Sequence, residues 1–487
     1  MTNPNKKEIF FKFDNFEFKA KEFVIKTWSD IGFARESLRN LPVGSKSGRL
    51  PGLDLGFNFS QVVESMIYYI EKNATKDSNT EQLNFQHISL ENENPYIIAI
   101  AVQYAPCDWT DLDNLGNPIK LKKSIFELLN YRYIEDLQNG KAILLIDQSV
   151  EGYSTPWLWE WFHKKCYLHK INPNNIIYLT GDQMCADSYD AWCHEHKPHN
   201  RLKVIPSVSL SIFVHKHCHR HNVSPKFDEL LKYKKENTEK IYLYDCLNRR
   251  PRKQRIFNFL HLIHSGLVDD GNITMSHHSE WKEWADFSDI EHTKLILKQN
   301  GFQENKFRQN EGLSVIKRIQ NSNMLPKVAK YNYEHDLTHY YHLVERVVVD
   351  LYKHSWLSLV VESSFYDYES NVFISEKTFK PIAAMQPFII VGSQHALKYL
   401  RKLGYKTFHP YIDESYDDAP DNVRYLKIME SLKKIKAIED KAAWYESIRE
   451  IVEHNYNLFM KIGTIRSKEH EEVMNYYFDY CDKYKNR

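Results

Sequence analysis

Two lysines follow a serine at the start of a candidate helix, in a pattern that could bind an anion. Ser375 is a good N-cap residue, and helix-forming residues follow it from Glu376 onwards. A helix that begins there points free backbone N–H groups outward, and such an end attracts anions. We expect Lys377 and Lys380 in the first turn of this helix, where the helix dipole disfavours cations unless a negative partner neutralises them. A diphosphate would be such a partner, and a solvated surface turn is the alternative. Pro381 predicts that the helix starts late or kinks.

A second basic segment lies between a candidate strand and a candidate helix. Five of the seven residues from Arg249 to Arg255 are basic. An apolar strand pattern precedes them at 240–245, and apolar residues at helical spacing follow at 256–267. Because arginine binds phosphate through a planar two-pronged fork, this turn predicts a phosphate site. A patch that binds a nucleic-acid backbone and a plain solvated turn are the alternatives. Of the five basic residues, Arg255 is the one least expected to be merely solvated, because apolar residues follow it.

Carboxylates follow two candidate strands of the first half. Asp147 ends the strand pattern at 142–147, Glu151 comes shortly after it, and Asp182 follows the pattern at 176–181. A carboxylate at the end of a parallel strand can act as general base for a hydroxyl about 3 Å away. Turn formation or helix capping explains Asp147 and Asp182 better, whereas Glu151 is less easily explained as a turn residue. Glu151 is therefore the first candidate for a base, and Asp147 is the second.

The clearest candidate for a metal site is a histidine-rich segment. Residues 215–221 hold five metal-capable side chains. A zinc site usually pairs two Cys-x-x-Cys or His-x(3–5)-His units, and this pairing is absent, so a positively charged loop is the favoured interpretation. Asp111 and Asp113 lie in a candidate loop and are interpreted as a solvated turn. No metal is therefore predicted.

The length of the chain predicts two to three domains, and its composition predicts a net charge close to zero. The chain has 487 residues, with 65 Lys and Arg against 64 Asp and Glu, a formal charge of +1. Any anion site must therefore be local. No run of 18 apolar residues and no basic, apolar leader is present. We therefore expect a protein without a membrane anchor. The seven cysteines are odd in number and form no Cys-x-x-Cys pair, so we expect no disulfide framework and a cytoplasmic location.

Apolar runs of strand length alternate with helical patterns in both halves of the chain. The runs begin near residues 96, 142, 176, 202, 240, 356 and 387. This alternation predicts an α/β fold whose parallel sheets are covered on both faces, in two Rossmann-like halves. Lysines in a polar segment at 227–238 indicate a boundary, a helix is predicted from Tyr341 to Leu351, and the tail reads as helical. The predicted domains are 1–235, 236–424 and 425–487, the last packing back on the first.

Two segments of the second half resemble the donor-site motifs of alpha-1,3-fucosyltransferases and related phage-encoded glycosyltransferases. One is Asn248–Leu260, and the other is Ile374–Lys380 with the Pro-Phe-Ile strand that follows it. The likeness covers Lys240–Tyr416, and Ser375 stands where the family more often has Thr. It implies a GT-B fold, with two Rossmann-like domains facing a cleft and the sugar nucleotide held by the C-terminal domain.

The resemblance also implies residue roles. Arg255 and Lys377 would hold the diphosphate of the donor, and Glu376 would bind the ribose or the sugar. The predicted donor-binding residues are Asn248, Arg249, Arg255, Glu362, Ser375, Glu376, Lys377 and Lys380. The implied reaction is an inverting, metal-independent transfer, in which Glu151 or Asp147 deprotonates the acceptor hydroxyl and the two cations stabilise the departing diphosphate. A nucleotide-diphosphate sugar is the donor substrate, and no separate cofactor is expected.

The acceptor stays open between a glycan, a small molecule and a hydroxymethylated base in phage DNA. A DNA acceptor would need basic residues other than the 249–255 turn, for which Lys216, Arg220 and the lysines of 232–235 are candidates. The rival of a different class is a non-catalytic nucleic-acid-binding protein that uses the basic turn.

Overall fold

The structure is a computed structural model. It describes residues 8–12, 84–87, 95–101, 109–112, 118–122, 125–129, 131–149, 152, 154, 156–248, 252–274, 346–365 and 371–485. The chain divides into two compact units, residues 1–209 with 463–487, and residues 210–462. These two units are compact by packing, which does not show where ligand-binding domains begin and end. The predicted domain boundaries at residues 235 and 424 therefore stay predictions.

The secondary structure alternates between strands and helices. The strands are β1 (Glu8–Lys12), β2 (Asn84–His87), β3 (Tyr96–Ala101), β4 (Trp109–Leu112), β5 (Pro118–Lys122), β6 (Ala142–Gln148), β7 (Ile176–Thr180), β8 (Lys203–Pro206), β9 (Tyr242–Leu247), β10 (Gly271–Thr274), β11 (Ser355–Val361) and β12 (Phe388–Val391). The helices are α1 (Ile125–Leu128), α2 (Tyr131–Gln138), α3 (Pro156–Leu168), α4 (Cys185–His196), α5 (Ser209–Arg220), α6 (Phe227–Glu236), α7 (Lys253–His264), α8 (Val349–Tyr352), α9 (Glu376–Ala383), α10 (Ala396–Lys402), α11 (Asp421–Lys436), α12 (Lys441–Ser447), α13 (Arg449–Met460) and α14 (Ile462–Lys485).

Each unit contains a parallel sheet. In the first unit the strand order is β2-β1-β3-β6-β7-β8, and in the second it is β10-β9-β11-β12. All neighbours in both sheets run parallel. Every residue of β6 and of β11 is buried, as expected for central strands that are covered on both faces. The predicted α/β class with parallel sheets is confirmed, and the arrangement is compatible with Rossmann-like folds.

The histidine-rich segment is helical, so the predicted loop is wrong. Residues 215–220 form the second half of α5. The side chains of Leu210, Val214 and Cys218 are buried and recur every four residues, which places them on one face of the helix. Histidines between these residues obscured the apolar face in the sequence.

Two smaller expectations are also corrected. Of the helix predicted from Tyr341 to Leu351, residues 341–345 lie outside the described residues, residues 346–348 are not helical, and α8 begins at Val349. Val347 and Val348 are β-branched, and such side chains fit extended backbone better than helix. Asp111, expected in a loop, lies in β4 opposite Lys120 of β5, and Asp113 lies outside the described residues.

The tail is helical, as predicted, and its helices belong to different units. Residues 421–460 are part of the second unit, whereas α14 belongs to the first from residue 463 onwards. There the hydroxyls of Tyr476 and Tyr477 donate to the carbonyls of Asn174 and Pro95, both at 2.7 Å. Within the described residues, no helix combines the length and the apolar character that crossing a membrane requires.

A lysine is fully buried in the core of the second unit. The ammonium of Lys234 on α6 donates to the carbonyls of Tyr352, at 3.1 Å, and of Ser355. The Ser355 hydroxyl in turn donates to Asp245 at 2.6 Å. Burial lowers the pKa of Lys234 to about 7, although Asp245 opposes this shift. Burial raises the pKa of Asp245 to about 6, against hydrogen bonds from Ser355 and Ser358 and the charge of Lys234.

The buried lysine makes stability depend on pH. Between pH 7 and 10 the unfolded chain keeps a proton on Lys234 that the folded chain releases, because the folded-state pKa is about 7. The free energy of unfolding should therefore rise with pH, by up to about 1.4 kcal/mol per pH unit from this group. Urea denaturation of wild type and Lys234→Met at pH 7.5 and 9 measures the difference. An equal pH dependence in both proteins would contradict the expectation.

Candidate anion-binding site

Helix α9 begins where the sequence predicts. The Ser375 side chain accepts the backbone N–H of Lys377 at 3.3 Å, so Ser375 is the N-cap of the helix Glu376–Ala383. Pro381 lies inside the helix and neither delays its start nor prevents its second turn. Lys377 lies in the first turn, as expected, but the expectation for Lys380 is wrong, because the helix has only eight residues and Lys380 lies in its last turn.

Glu362 fixes this helix start from the end of β11. Its side chain is 1% exposed, and its carboxylate accepts three hydrogen bonds from the protein. The donors are the Ser375 backbone N–H at 3.0 Å, the Ser375 hydroxyl at 2.5 Å and the Thr378 hydroxyl at 2.7 Å. With its oxygens used in this way, Glu362 holds the start of α9 against the carboxyl end of the sheet.

Lys377 is held over the same carboxylate. Its ammonium lies 3.7 Å from Glu362 and 3.3 Å from Glu376, and the side chain is 21% exposed. It also donates to the hydroxyls of Ser375 at 2.8 Å and Ser363 at 3.3 Å. The lysine is therefore fixed in direction while part of it still reaches solvent.

Arg255 approaches these carboxylates from a different helix. It lies in the first turn of α7 and is 6% exposed. The neighbouring Gln254 donates to the carbonyls of Glu362 at 3.0 Å and Ser363 at 2.6 Å, so the start of α7 is tied to the end of β11. Burial and the charge of Arg252 lower the pKa of Arg255 to about 10, and the carboxylates of Glu376 and Glu362 oppose this shift. Arg255 therefore stays charged at neutral pH, and the two carboxylates that pair with Lys377 also act on it.

Cations and carboxylates influence one another at this edge of the sheet. Burial raises the pKa of Glu376, but Lys377 and Lys380 outweigh it, so the net shift is downward and Glu376 is ionised. Burial lowers the pKa of Lys380, and Glu376 opposes this change. Glu376 is thus acted on by Lys377 and Lys380, and Arg255 is acted on by Glu376 and Glu362. Fixed cations that come from two helices to the same strand end can attract an anionic ligand.

Asn248 lies at the end of β9 in the same sheet. It is 6% exposed, its amide group donates to the Cys246 sulfur at 3.1 Å, and its backbone N–H donates to the Thr274 carbonyl at 3.0 Å. These contacts join the ends of β9 and β10. Arg249, predicted beside it, lies outside the described residues.

Two residues of α11 that were not predicted, Arg424 and Tyr425, connect the segments after β11 and β12 to helix α7. The Arg424 guanidinium, 1% exposed, donates to the carbonyls of Phe365 at 2.5 Å and Gly392 at 3.0 Å. The hydroxyl of Tyr425 donates to the carbonyl of Gln254 at 3.0 Å. A side chain at Gly392 would begin 3.4 Å from the Glu362 side chain and 3.0 Å from that of Ile390, so glycine lets β12 approach Glu362.

Asp147 and Asp182, two of the three predicted carboxylates of the first unit, lie at the ends of β6 and β7. Asp147 is 3% exposed and accepts the backbone N–H of Ser149 at 3.0 Å. Asp182 accepts the backbone N–H of Met184 at 2.9 Å and the Ser154 hydroxyl, as expected for a turn-forming residue. Glu151, the first candidate for a base, lies outside the described residues.

One group of three metal-capable side chains occurs among the described residues: His395, Asp417 and Asp418. Asp417 accepts the backbone N–H groups of Leu397 at 2.8 Å and Lys398 at 3.0 Å, at the start of α10. His395 pairs with Asp418 at 3.0 Å. Helix capping and one hydrogen bond explain this group without a metal.

The end of the second unit's sheet therefore brings together Arg255, Glu362, Ser375, Glu376, Lys377 and Lys380. Such an edge can hold a di-anion between fixed cations, because the N-terminal turns of α7 and α9 both lie at the end of β11. Comparison of this chain with protein-family models, curated proteins and solved structures finds no match.

Proposed function

We propose that this protein is a GT-B glycosyltransferase that moves a sugar from a nucleotide-diphosphate donor to an acceptor hydroxyl. The observation that supports this proposal most is that Lys377 pairs with Glu362 and Glu376, and that the charges of the same two carboxylates act on Arg255 of a different helix. Both helices start at the carboxyl end of a parallel sheet, where ligands of doubly wound folds bind. The resemblance of the two segments to fucosyltransferase donor motifs points to the same chemistry.

In the proposed reaction the fixed cations act on the leaving group. The bond between the sugar and the β-phosphate oxygen breaks, and negative charge grows on the diphosphate. Hydrogen bonds to Ser363 and Ser375 already hold Lys377, and the Gln254 contact to Glu362 holds the helix start that carries Arg255, so both cations can stabilise that charge without large rearrangement. Fixed cations of this kind can replace a divalent metal, so the transfer is proposed to be metal-independent.

The residue that deprotonates the acceptor hydroxyl is proposed to belong to the first unit. Glu151 is the proposed base and Asp147 is the second candidate. A base on the opposite side of the sugar from the leaving group gives inversion at the anomeric carbon. A glycan, a small molecule and a hydroxymethylated DNA base are the proposed acceptor classes, and the proposed location is the cytoplasm.

Burial favours a small ligand over a nucleic-acid backbone. Arg255 is 6% exposed and the Lys377 side chain is 21% exposed. Cations that neutralise the phosphates of a duplex have to reach its surface, and a steep salt dependence follows from such contacts. Non-catalytic nucleic-acid binding by the basic turn is therefore the weaker proposal.

Thermal shift with UDP and GDP tests the proposed function. A nucleotide that binds only the folded protein stabilises it by about 2.7 kcal/mol at 100 times its dissociation constant, which is a rise of several degrees in Tm. We expect one of the two nucleotides to raise Tm of wild type but not of Lys377→Met. Lys433→Met, which removes an exposed lysine of α11, is the matched control and should respond like wild type.

Two outcomes would overturn the proposal. In one, neither nucleotide changes Tm of the wild-type protein at millimolar concentration. In the other, the chain binds DNA with an affinity that falls steeply with salt and ignores both nucleotides, which would favour the nucleic-acid-binding alternative.

A further inference from the structure

Helix α11 contacts the start of α7 through a buried tyrosine. Tyr425 is 1% exposed, and its hydroxyl donates to the carbonyl of Gln254, in the first turn of α7, at 3.0 Å. Its ring also stacks on that of His261 of the same helix, with 4.8 Å between the ring centres. Gln254 and His261 are seven positions apart and therefore lie on one face of the helix. Tyr425 thus holds this face of α7 at two points.

A second ring packs on Tyr425 from the segment after β11. The ring of Phe365 stacks on it with 4.1 Å between the ring centres. The carbonyl of Phe365 accepts the guanidinium of Arg424, which precedes Tyr425 in α11. Two successive residues of α11 therefore hold the ring and the backbone of Phe365. Stacked rings from two segments fix the Tyr425 side chain, so its hydroxyl has a defined position against α7.

Gln254 connects this contact to the anion-binding site. Its side-chain amide donates to the carbonyls of Glu362 at 3.0 Å and Ser363 at 2.6 Å, while its own carbonyl accepts the Tyr425 hydroxyl. Residue 254 is therefore held by its side chain and by its backbone. Arg255 is the next residue of the chain, so the same contacts fix the backbone from which its side chain extends.

The position of that backbone matters because Arg255 is buried. With 6% of the residue exposed, its side chain has little room to compensate for a shift of the helix start. A hydrogen bond between a guanidinium and a phosphate is strong only at the right distance and angle. A misplacement of about 1 Å in a reacting site can lower a rate by roughly 100-fold.

We propose that Tyr425 is a positioning residue for the cation that holds the leaving group. Through the carbonyl of Gln254, its hydroxyl keeps the first turn of α7 where the Arg255 guanidinium meets the donor diphosphate. This inference rests on the proposed function, because it takes the ligand of Arg255 to be a nucleotide diphosphate. Tyr425 does not need to touch the ligand, since its hydroxyl proton is already donated to Gln254.

A double-mutant cycle tests whether Tyr425 acts through Arg255. Tyr425→Phe keeps the ring and removes only the hydroxyl. Isothermal titration calorimetry with UDP and GDP gives the dissociation constants of wild type, Tyr425→Phe, Arg255→Met and the double variant. We expect Arg255→Met to weaken nucleotide binding roughly 10- to 100-fold and Tyr425→Phe to weaken it roughly tenfold. In the Arg255→Met protein, Tyr425→Phe should change the affinity by less than about twofold, because the group that it positions is gone.

Tyr445→Phe is the matched control. The hydroxyl of Tyr445 is also buried in the second unit, where it donates to the carbonyl of Met385 at 2.8 Å. Each change removes one buried hydrogen bond, so both should lower Tm by a similar few degrees. Only Tyr425→Phe should weaken nucleotide binding. A purely structural role would instead give the two variants the same affinity.

The outcomes separate this inference from the proposed function. Wild-type affinity in Tyr425→Phe, or a tenfold loss that recurs in the Arg255→Met protein, would overturn this inference alone. If Arg255→Met does not fold, Arg255→Gln takes its place in the cycle, and thermal melts show which variants are folded. Failure of wild type to bind either nucleotide would overturn the proposed function and this inference with it.

Discussion

Replacing Lys377 by methionine should lower the rate of donor consumption by roughly 100- to 1,000-fold, the usual cost of removing one preorganised group that stabilises charge in a transition state. Methionine keeps most of the side-chain length but carries no charge against the leaving diphosphate. The loss should fall mainly on kcat, because the negative charge on the bridging oxygen grows as the bond to the sugar breaks. Initial rates of hydrolysis over a panel of UDP- and GDP-linked sugars provide the measurement.

Arg255→Met should cause a loss of similar size, since both cations act on the same group. Lys433→Met, on the exposed face of α11, is the control for removing a positive charge and should keep the wild-type rate. A Lys377→Met protein that folds and hydrolyses the donor at the wild-type rate would remove Lys377 from the proposed mechanism.

Replacing Glu362 by alanine should lower the free energy of unfolding by about 4 kcal/mol, as expected when one member of a buried ion pair is removed. Three donors lose their acceptor: the backbone and hydroxyl of Ser375 and the hydroxyl of Thr378. Lys377 loses one of its two carboxylate partners at the same time. Urea denaturation of the two proteins at the same pH measures the difference.

Glu362→Gln is the matched variant, because it keeps the shape and one acceptor oxygen while removing the charge. We expect its free energy of unfolding to lie between those of wild type and Glu362→Ala. A stability of Glu362→Ala within about 1 kcal/mol of wild type would show that the carboxylate does not hold the start of α9, since a neutral hydrogen bond alone contributes about that much.

Local signals in the sequence predicted the central strands and the start of α9. Continuous apolar runs such as those of β6 and β11 indicate strands buried on both faces, and all seven predicted strands are present. Ser375 before Glu376 marked a helix start that the structure confirms. The placement of Arg255 beside apolar residues correctly indicated a buried arginine. Each of these depends on neighbours in the chain.

Features that depend on distant residues could not be predicted in this way. Arg424 is followed by ordinary helix residues, and only the folded chain brings it to the carbonyls of Phe365 and Gly392. The short strands β2, β4, β5 and β10 have four or five residues and no continuous apolar run. Their sequences could therefore not be distinguished from those of loops.

The central claim is that Arg255 and Lys377 hold one leaving group, and a crystal structure of the protein with bound UDP or GDP tests it most directly. The claim predicts that oxygens of one diphosphate lie within about 3 Å of both the Arg255 guanidinium and the Lys377 ammonium, at the carboxyl end of β11. A nucleotide bound elsewhere, or a diphosphate that contacts neither side chain, would contradict it.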